Sequence, residues 1–336
     1  MNLNLSKLGI LIPMYKESFD VVKPLLDSLA IQQNVDFKNV HVIICNDGAA
    51  KEDSQYDISK TIKKHKYPFS IEYHLEDHAG VSATRNKCLD YSKDDYVMWC
   101  DCDDMFSSVC GLWIIFQEID ANGGFDGLIS IFMEEVHEPN TKRVLYVNHQ
   151  MDSTFVHGKV YKRQYLIDNN LRFNPSLTIH EDSYFNILAQ NCGGVIKYSQ
   201  NPFYLWKWRE DSVCRHDEKY MLKTYRNMID SNSALVQQFL DRELNNKAIY
   251  YCSLLVFDAY YLMNKKEWLE QENKEYRDDT EKYFAKYYKE HKDLWEKCDL
   301  NTKMQISNAV RQKTVMQGMQ MENMTLNDWL NHIETL

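Results

Sequence analysis

The stretch "YVMWCDCDDM", residues 96–105, runs five mostly apolar residues straight into three acids within four positions, Asp101, Asp103 and Asp104. Its first half reads as a strand covered on both faces, because an unbroken apolar run leaves no side for water. Its second half gathers three like charges where the strand stops. Neutralising any of them by protonation at pH 7 costs free energy. Something must balance that charge at the strand's end.

Outward from this strand the chain alternates. "LGILIPMY" (8–15), "VHVIICND" (40–47) and "FSIEYHL" (69–75) read as strands, and 19–33, 54–65 and 80–92 as helices between them. Apolar strands alternating with helices predict a mainly parallel sheet with helices on both faces. Right-handed crossovers then bring the strands' C-terminal ends to one rim, where such sheets bind ligands. From about residue 125 the pattern changes to "FDGLISIFMEEV", "RVLYVNH", "STFVHGKVY" and "GVIKYSQNPFYLWKW", further strands that are partly antiparallel, with a helix over 183–192.

Ten of the 11 glycines lie at or before Gly194 and all six prolines at or before Pro202, so helix breakers vanish from the last third. The expected organisation is an α/β catalytic domain over 1–217 and an all-helical region over 218–336. Within the latter, 266–298 is laced with both charge signs and reads as a solvated helical face.

A net charge of −10 disfavours a general nucleic-acid coat. Nine cysteines without a CxxC pair suggest reduced thiols, hence a cytoplasmic protein. The N-terminus lacks a signal peptide's long apolar region, and the longest apolar stretch elsewhere, 14 residues containing Asp258, is too short to span a bilayer. No integral membrane segment is expected.

Four features fall at predicted strand ends or adjoining loops: "PMYKE" (13–17), "NDGA" (46–49), "HAGVSATRN" (78–86) and "DCDDM" (101–105). Each alone is an ordinary strand end, turn or cap; together, in order, they outline one rim site. Asp101 and Asp103 share a side if the segment stays extended. Carboxylates in a small open cluster suit Mg²⁺ or Mn²⁺, which keep waters and take phosphate oxygens. A metal diphosphate would cancel the charge.

In this order the features resemble family 2 glycosyltransferases with the GT-A fold, a Rossmann-like mixed sheet. The family's "IPxYN", "DDGS", "GxSxARN", "LDxDD" and later "ED" find counterparts here in "IPMYKE", "NDGA", "GVSATRN", "CDCDD" and "IHEDSYFN". The match covers about residues 8–215. The resemblance implies that Pro13, Tyr15 and Glu17 lie beside the nucleotide and that Asp47 and Arg85 read its base. It gives Asp101 the ribose or metal and Asp103 the metal. Asp104 is either an acid behind the ligands or the cap of the next helix. Asn46 and Ala49 depart from "DDGS", so UDP is only the leading donor nucleotide. Asp182 is implied as the base, with Glu181 in reserve; helix capping is the plain alternative for this pair. "FYLWKWREDSVCR" resembles the segment that closes over the diphosphate, with Arg209 and Ser212 as phosphate contacts. Trp206 and Trp208 either stack on a sugar or pack.

The implied activity is metal-dependent, inverting transfer from a UDP-sugar to an acceptor hydroxyl. The default acceptor is a cell-surface or capsular glycan; the runner-up is hydroxymethylated DNA. A non-catalytic nucleotide-sugar-binding module is the alternative from another class, and the intact acids oppose it. A sugar nucleotidyltransferase would need a Gly-rich N-terminal phosphate loop, which "LGILIPMYKE" lacks.

Overall fold

The computed structural model describes residues 6–121, 124–138, 141, 143–150, 152–210, 220–316 and 324–336. The chain divides into two compact units, Met1–Glu210 and Asp211–Leu336.

The first unit is built on β1 (Leu8–Met14), whose seven residues are all buried. Helix α1 (Phe19–Ala30) covers it with Val22, Leu25, Leu26 and Leu29, the spacing of one helical face. β2 (Val40–Asn46) pairs with β1 in parallel. The helix expected over 54–65 is instead α2 (Ala49–Glu52), a 3₁₀ turn at Ser54–Tyr56 and α3 (Ser59–Lys64). Two aspartates break it: Asp53 accepts from the Gln55 N–H and Asp57 from the Ser59 N–H, each restarting the backbone. β3 (Ser70–Leu75), α4 (Val81–Tyr91) and β4 (Tyr96–Trp99) follow.

β3, β2, β1 and β4 are adjacent and parallel, which aligns their C-terminal ends. β4 stops pairing with β1 at Leu11↔Trp99. Leu11 accepts from Cys100 on that side. Pro13, two residues on, faces the same way past β4's end, so its missing N–H breaks no ladder.

Beyond β4 the chain turns back, and the Asp104 N–H donates to the Asp101 carbonyl at 3.2 Å. The acids therefore do not lie on an extended segment. The chain crosses to the short β5 (Met105–Phe106) and enters α5 (Gly111–Asp120). Asp104 caps nothing there, since α5 starts after Cys110.

β6 (Gly127–His137) is the long strand of the second half. On one side its first residues pair with β8 (Lys159–Lys162) and its later ones with β7 (Val144–His149), both antiparallel. β7 and β8 thus run in series, interrupted by 150–158. The strand expected over 153–161 survives only from Lys159. α7 (Glu181–Asn191), which follows the short α6 (Arg163–Asp168), pins the interruption: Asn186 donates to the Thr154 carbonyl and Gln190 to that of Ser153. β9 (Ile196–Trp206) lies parallel on the other side of β6 and pairs with β5.

The second unit is helical: α8 (Tyr220–Asp241), α9 (Asn245–Met263), α10 (Lys266–Leu269), α11 (Lys274–Lys297), α12 (Leu300–Met316) and α13 (Leu326–Thr335). α9 supplies Leu255, Val256, Ala259 and Leu262 to its core. The 266–298 stretch is not a solvated face throughout. α11 buries Phe284, Tyr287, Tyr288 and Trp295, and Phe284 stacks on Trp329 of α13 at 5.2 Å. Its aromatics at 284, 287, 288 and 295 fall on one helical face and outweigh the charges between them. No described helix is long and apolar enough to cross a membrane, and the described cysteines are free thiols.

Candidate active site

The rim of β1, β2, β4 and α4 carries the predicted residues. Asp47 is buried, and its carboxylate accepts from the Ala79 N–H at 2.8 Å and the Gly80 N–H at 3.0 Å, with His78 Nδ1 at 2.9 Å. It fastens β2 to the loop opening α4. Gly48 makes this approach feasible: its φ is +88°, and a Cβ there would meet the His78 nitrogen at 2.7 Å. Asn46 is fully buried and pins backbone, donating to Tyr15 O and accepting from the Ala50 N–H. Its departure from the family pattern is filled by a structural role. Tyr15 stacks on His78 at 4.7 Å, and Glu17 accepts from the Tyr15 N–H at 2.7 Å.

The three acids of the opening stretch find three different balances. Asp101 takes Arg85 Nη2 at 3.1 Å. Burial would raise its carboxyl, but the Arg85 guanidinium holds it below the usual range. Asp103 takes Arg209 Nη1 at 2.9 Å, with Glu17 at 4.0 Å from the same nitrogen. Burial and the neighbouring Asp101 nevertheless push it up. Asp104 is 1% exposed, accepting from Tyr204 Oη at 2.5 Å and from the Lys207 N–H at 2.9 Å. Burial, then Asp101 and Asp103, drive its carboxyl far up. It is an acid behind the rim.

Arg85 is 5% exposed, its two terminal nitrogens occupied by Asp101 and, at 2.7 Å, by Glu181 Oε1. Both terminal nitrogens thus engage carboxylates. Asp182, next to Glu181, has no cation within ion-pair distance among the described residues; its Oδ1 accepts from the Ser183 N–H at 2.7 Å. Part of its surface stays open, yet protein surrounds it. Burial first, then the Glu181 charge, push its pKa up to about 7 against the pull of Arg85. His180 precedes the pair at φ 63°, the left-handed conformation that aims the start of α7.

Ser212 lies outside the described residues. Trp206 packs beside Phe155 and His157, and Trp208 stacks on His137 at 5.0 Å. Sequence reasoning missed His157. It sits in the interruption between β7 and β8, where "STFVHGKVY" imitates strand alternation; Gly158, at φ 65°, was the only break in the pattern. Burial lowers its pKa to about 4, so the imidazole is neutral, and its Nδ1, 3.7 Å from Asp104, is buried without a hydrogen-bond partner.

These side chains fit a divalent cation. Asp101, Asp104 and His157 each bring a ligand atom within 4.8 Å of the others. Asp101 and Asp103 offer a second pair of carboxylates whose side chains remain 32% and 27% exposed. Asp104 and His157 are buried, so it is on the Asp101 and Asp103 side that solvent reaches the acids.

A rim of acids and backbone-fixed loops on a mainly parallel sheet defines a ligand-binding α/β domain whose chemistry sits at the strand ends. The chain belongs to glycosyl transferase family 2, whose profile matches residues 9–176, half of its length. It is 25% identical over 237 residues to the glycosyltransferase GlyA of Streptococcus pneumoniae serotype 4, a match covering 64% of this chain and 32% of GlyA. It is 26% identical over 211 residues to the poly(ribitol-phosphate) beta-glucosyltransferase of Bacillus spizizenii, covering 61% and 33%. This chain thus spans about a third of each. Residues 1–349 of S. aureus TarS, solved in complex with UDP, superpose with a TM-score of 0.58 at 15% identity, covering 91% of this chain and 92% of that one. The likeness supports the expected GT-A architecture followed by helices.

Proposed function

We propose that this chain transfers a sugar from a nucleotide-sugar donor to an acceptor hydroxyl with inversion, using Asp182 as the base. The observation that carries it is the acid pair opening α7. Glu181 is paired with Arg85, whereas Asp182 has no cation within ion-pair distance among the described residues and is pushed up to about 7. A carboxylate of that pKa both accepts a proton and is ionised at working pH.

Asp182 removes the acceptor hydroxyl's proton. The oxygen bonds to the anomeric carbon from the far side, and the electrons of the breaking C–O bond leave with the diphosphate. Asp101 and Asp103 would hold a divalent cation, Mn²⁺ or Mg²⁺, which would supply positive charge against the departing diphosphate. Asp104 and His157 back this pair from the interior. Tyr15, Glu17 and the Asp47-fixed loop border the nucleotide, and Arg209, paired with Asp103, is the phosphate contact.

UDP is the preferred donor nucleotide, supported by the UDP complex of TarS. GDP is the second reading, because a mannosyltransferase from Pyrobaculum calidifontis, solved with GDP-Man and Mn²⁺, has the same fold. A cell-surface glycan is the proposed acceptor, in keeping with the teichoic-acid polymer in one relative's name. The −10 net charge opposes DNA. Calorimetry with UDP and GDP, each with Mn²⁺ and with EDTA, tests the donor, and glycan acceptors added to the corresponding nucleotide-sugar test transfer. UDP binding that needs Mn²⁺ and labelled glycan support the reading. Nucleotide binding indifferent to EDTA overturns the metal, and tight donor binding with no transfer to any acceptor favours a binding module.

A further inference from the structure

We propose that Arg85 is a positioning residue that ties the donor-side acid Asp101 to the base-side acid Glu181, so that filling the donor seat and aligning Asp182 become one event. This rests on the functional reading above.

Asp101 and Glu181 belong to different parts of the chain, one after β4 and the other opening α7. One guanidinium spans them, Nη2 to Asp101 at 3.1 Å and Nη1 to Glu181 at 2.7 Å. Phe173 lies against the guanidinium, its ring centroid 5.2 Å from Cζ. The helix carrying Arg85 is itself held on both sides. Trp99 of β4, two residues before Asp101, donates its indole N–H to the Arg85 carbonyl at 3.1 Å. Asn86 bonds the Phe173 backbone twice, at 2.8 and 3.0 Å, and Ser82 Oγ donates to the Leu177 carbonyl at 3.2 Å. α4 is therefore clamped both to the strand that delivers Asp101 and to the segment that delivers Glu181.

One buried cation shared by two carboxylates couples them. A cation and diphosphate arriving at Asp101 draw on the same carboxylate that Arg85 holds. The guanidinium's attraction then concentrates on Glu181 and fixes the first turn of α7, where Asp182 sits. Coupling of this kind is reciprocal. With Glu181 neutralised, the Arg85 charge is no longer offset and repels a cation at Asp101. Only the planar fork of arginine reaches both partners; a lysine ammonium keeps the charge without the span.

The test is calorimetry of UDP with Mn²⁺ on the full chain, together with UDP-sugar hydrolysis. Glu181→Gln should weaken Mn²⁺-dependent UDP binding about fivefold or more, although Glu181 borders the base. In an Arg85→Lys background the same change should alter the Kd by less than about twofold. Arg85→Lys itself should lower kcat by about 10²-fold, the cost of a misplaced catalytic group, with a smaller change in KM. A purely structural ion pair would lower the melting temperature and leave the kcat-to-KM split unmoved. If Arg85→Lys fails to fold, Glu181→Gln decides alone: unchanged UDP affinity overturns the coupling. A wild-type protein that binds neither UDP nor GDP sinks the functional reading and the coupling with it. A wild type that binds UDP no better than Glu181→Gln sinks the coupling alone.

Discussion

The turn after β4 and the first turn of α7 both gather acids at the rim, and they treat them oppositely. After β4 each acid has its own counterweight: Arg85 for Asp101, Arg209 for Asp103, Tyr204 and a backbone N–H for Asp104. At α7 Glu181 pairs with Arg85, while Asp182, with no cation within ion-pair distance among the described residues, is raised by burial and its neighbour's charge against the pull of Arg85. Burial raises Asp103 and Asp104 as well as Asp182, so what sets Asp101 and Glu181 apart is the shared Arg85 guanidinium. The comparison teaches that acid count says little about role, and that the placement of two arginines says most.

The sharpest way to break this contrast is to remove one holder. Asp103→Ala should abolish the response of transfer to Mn²⁺ with the fold intact, read as activity against metal concentration beside a thermal melt. Asp104→Asn should cost no more than about 10–100-fold in metal affinity, as expected of a group behind the ligands. If Asp104→Asn abolishes the response and Asp103→Ala does not, the cation belongs to Asp101, Asp104 and His157 instead.

Next is the proton acceptor. Asp182→Asn should reduce transfer by roughly 10²–10⁴-fold while calorimetry shows UDP binding retained. Glu181→Gln made in parallel separates the neighbours: loss of transfer there, with Asp182→Asn near wild type, would exchange their roles.

The pH profile should show a smaller effect of the same origin. Transfer needs ionised Asp182, so the rate should fall about tenfold per pH unit below about 7. A profile flat down to pH 5 would remove Asp182 from the chemistry.

The smallest effect is on stability, and its sign is opposite. The folded pKa of Asp182, about 7, lies above its unfolded value, so the folded state binds the extra proton between roughly pH 4 and 7. Its stabilising contribution is full below that window and is lost as pH rises through 7. Asp182→Asn escapes the loss and should be more stable than wild type at pH 8 by about 1–2 kcal/mol, after screening at its open side. Melting curves at pH 5 and pH 8 would show the difference opening with pH.

The parallel half of the fold was legible because its strands are covered on both faces, so apolar runs mark them without ambiguity. The residues converging on the rim were legible for a related reason: strand ends fix their position in space. The broken helix at 49–64 was not, because Asp53 and Asp57 act through local hydrogen bonds that compete with helix and leave the apolar pattern unchanged. Nor was the work of Arg85, since pairing across 96 residues leaves no local mark. His157 hid for the opposite reason, in a segment whose alternation imitates a strand.

β7 and β8 flank the same side of β6 in series, with 150–158 let in between them. In engineering terms this is a splice point. The β6–β7 hairpin and the β6–β8 pair each fix their own register, while Asn186 and Gln190 of α7 fasten the inserted span at Thr154 and Ser153. Since that span carries Phe155 and His157, exchanging it would alter the aromatic cluster against Trp206 and the imidazole beside Asp104 together.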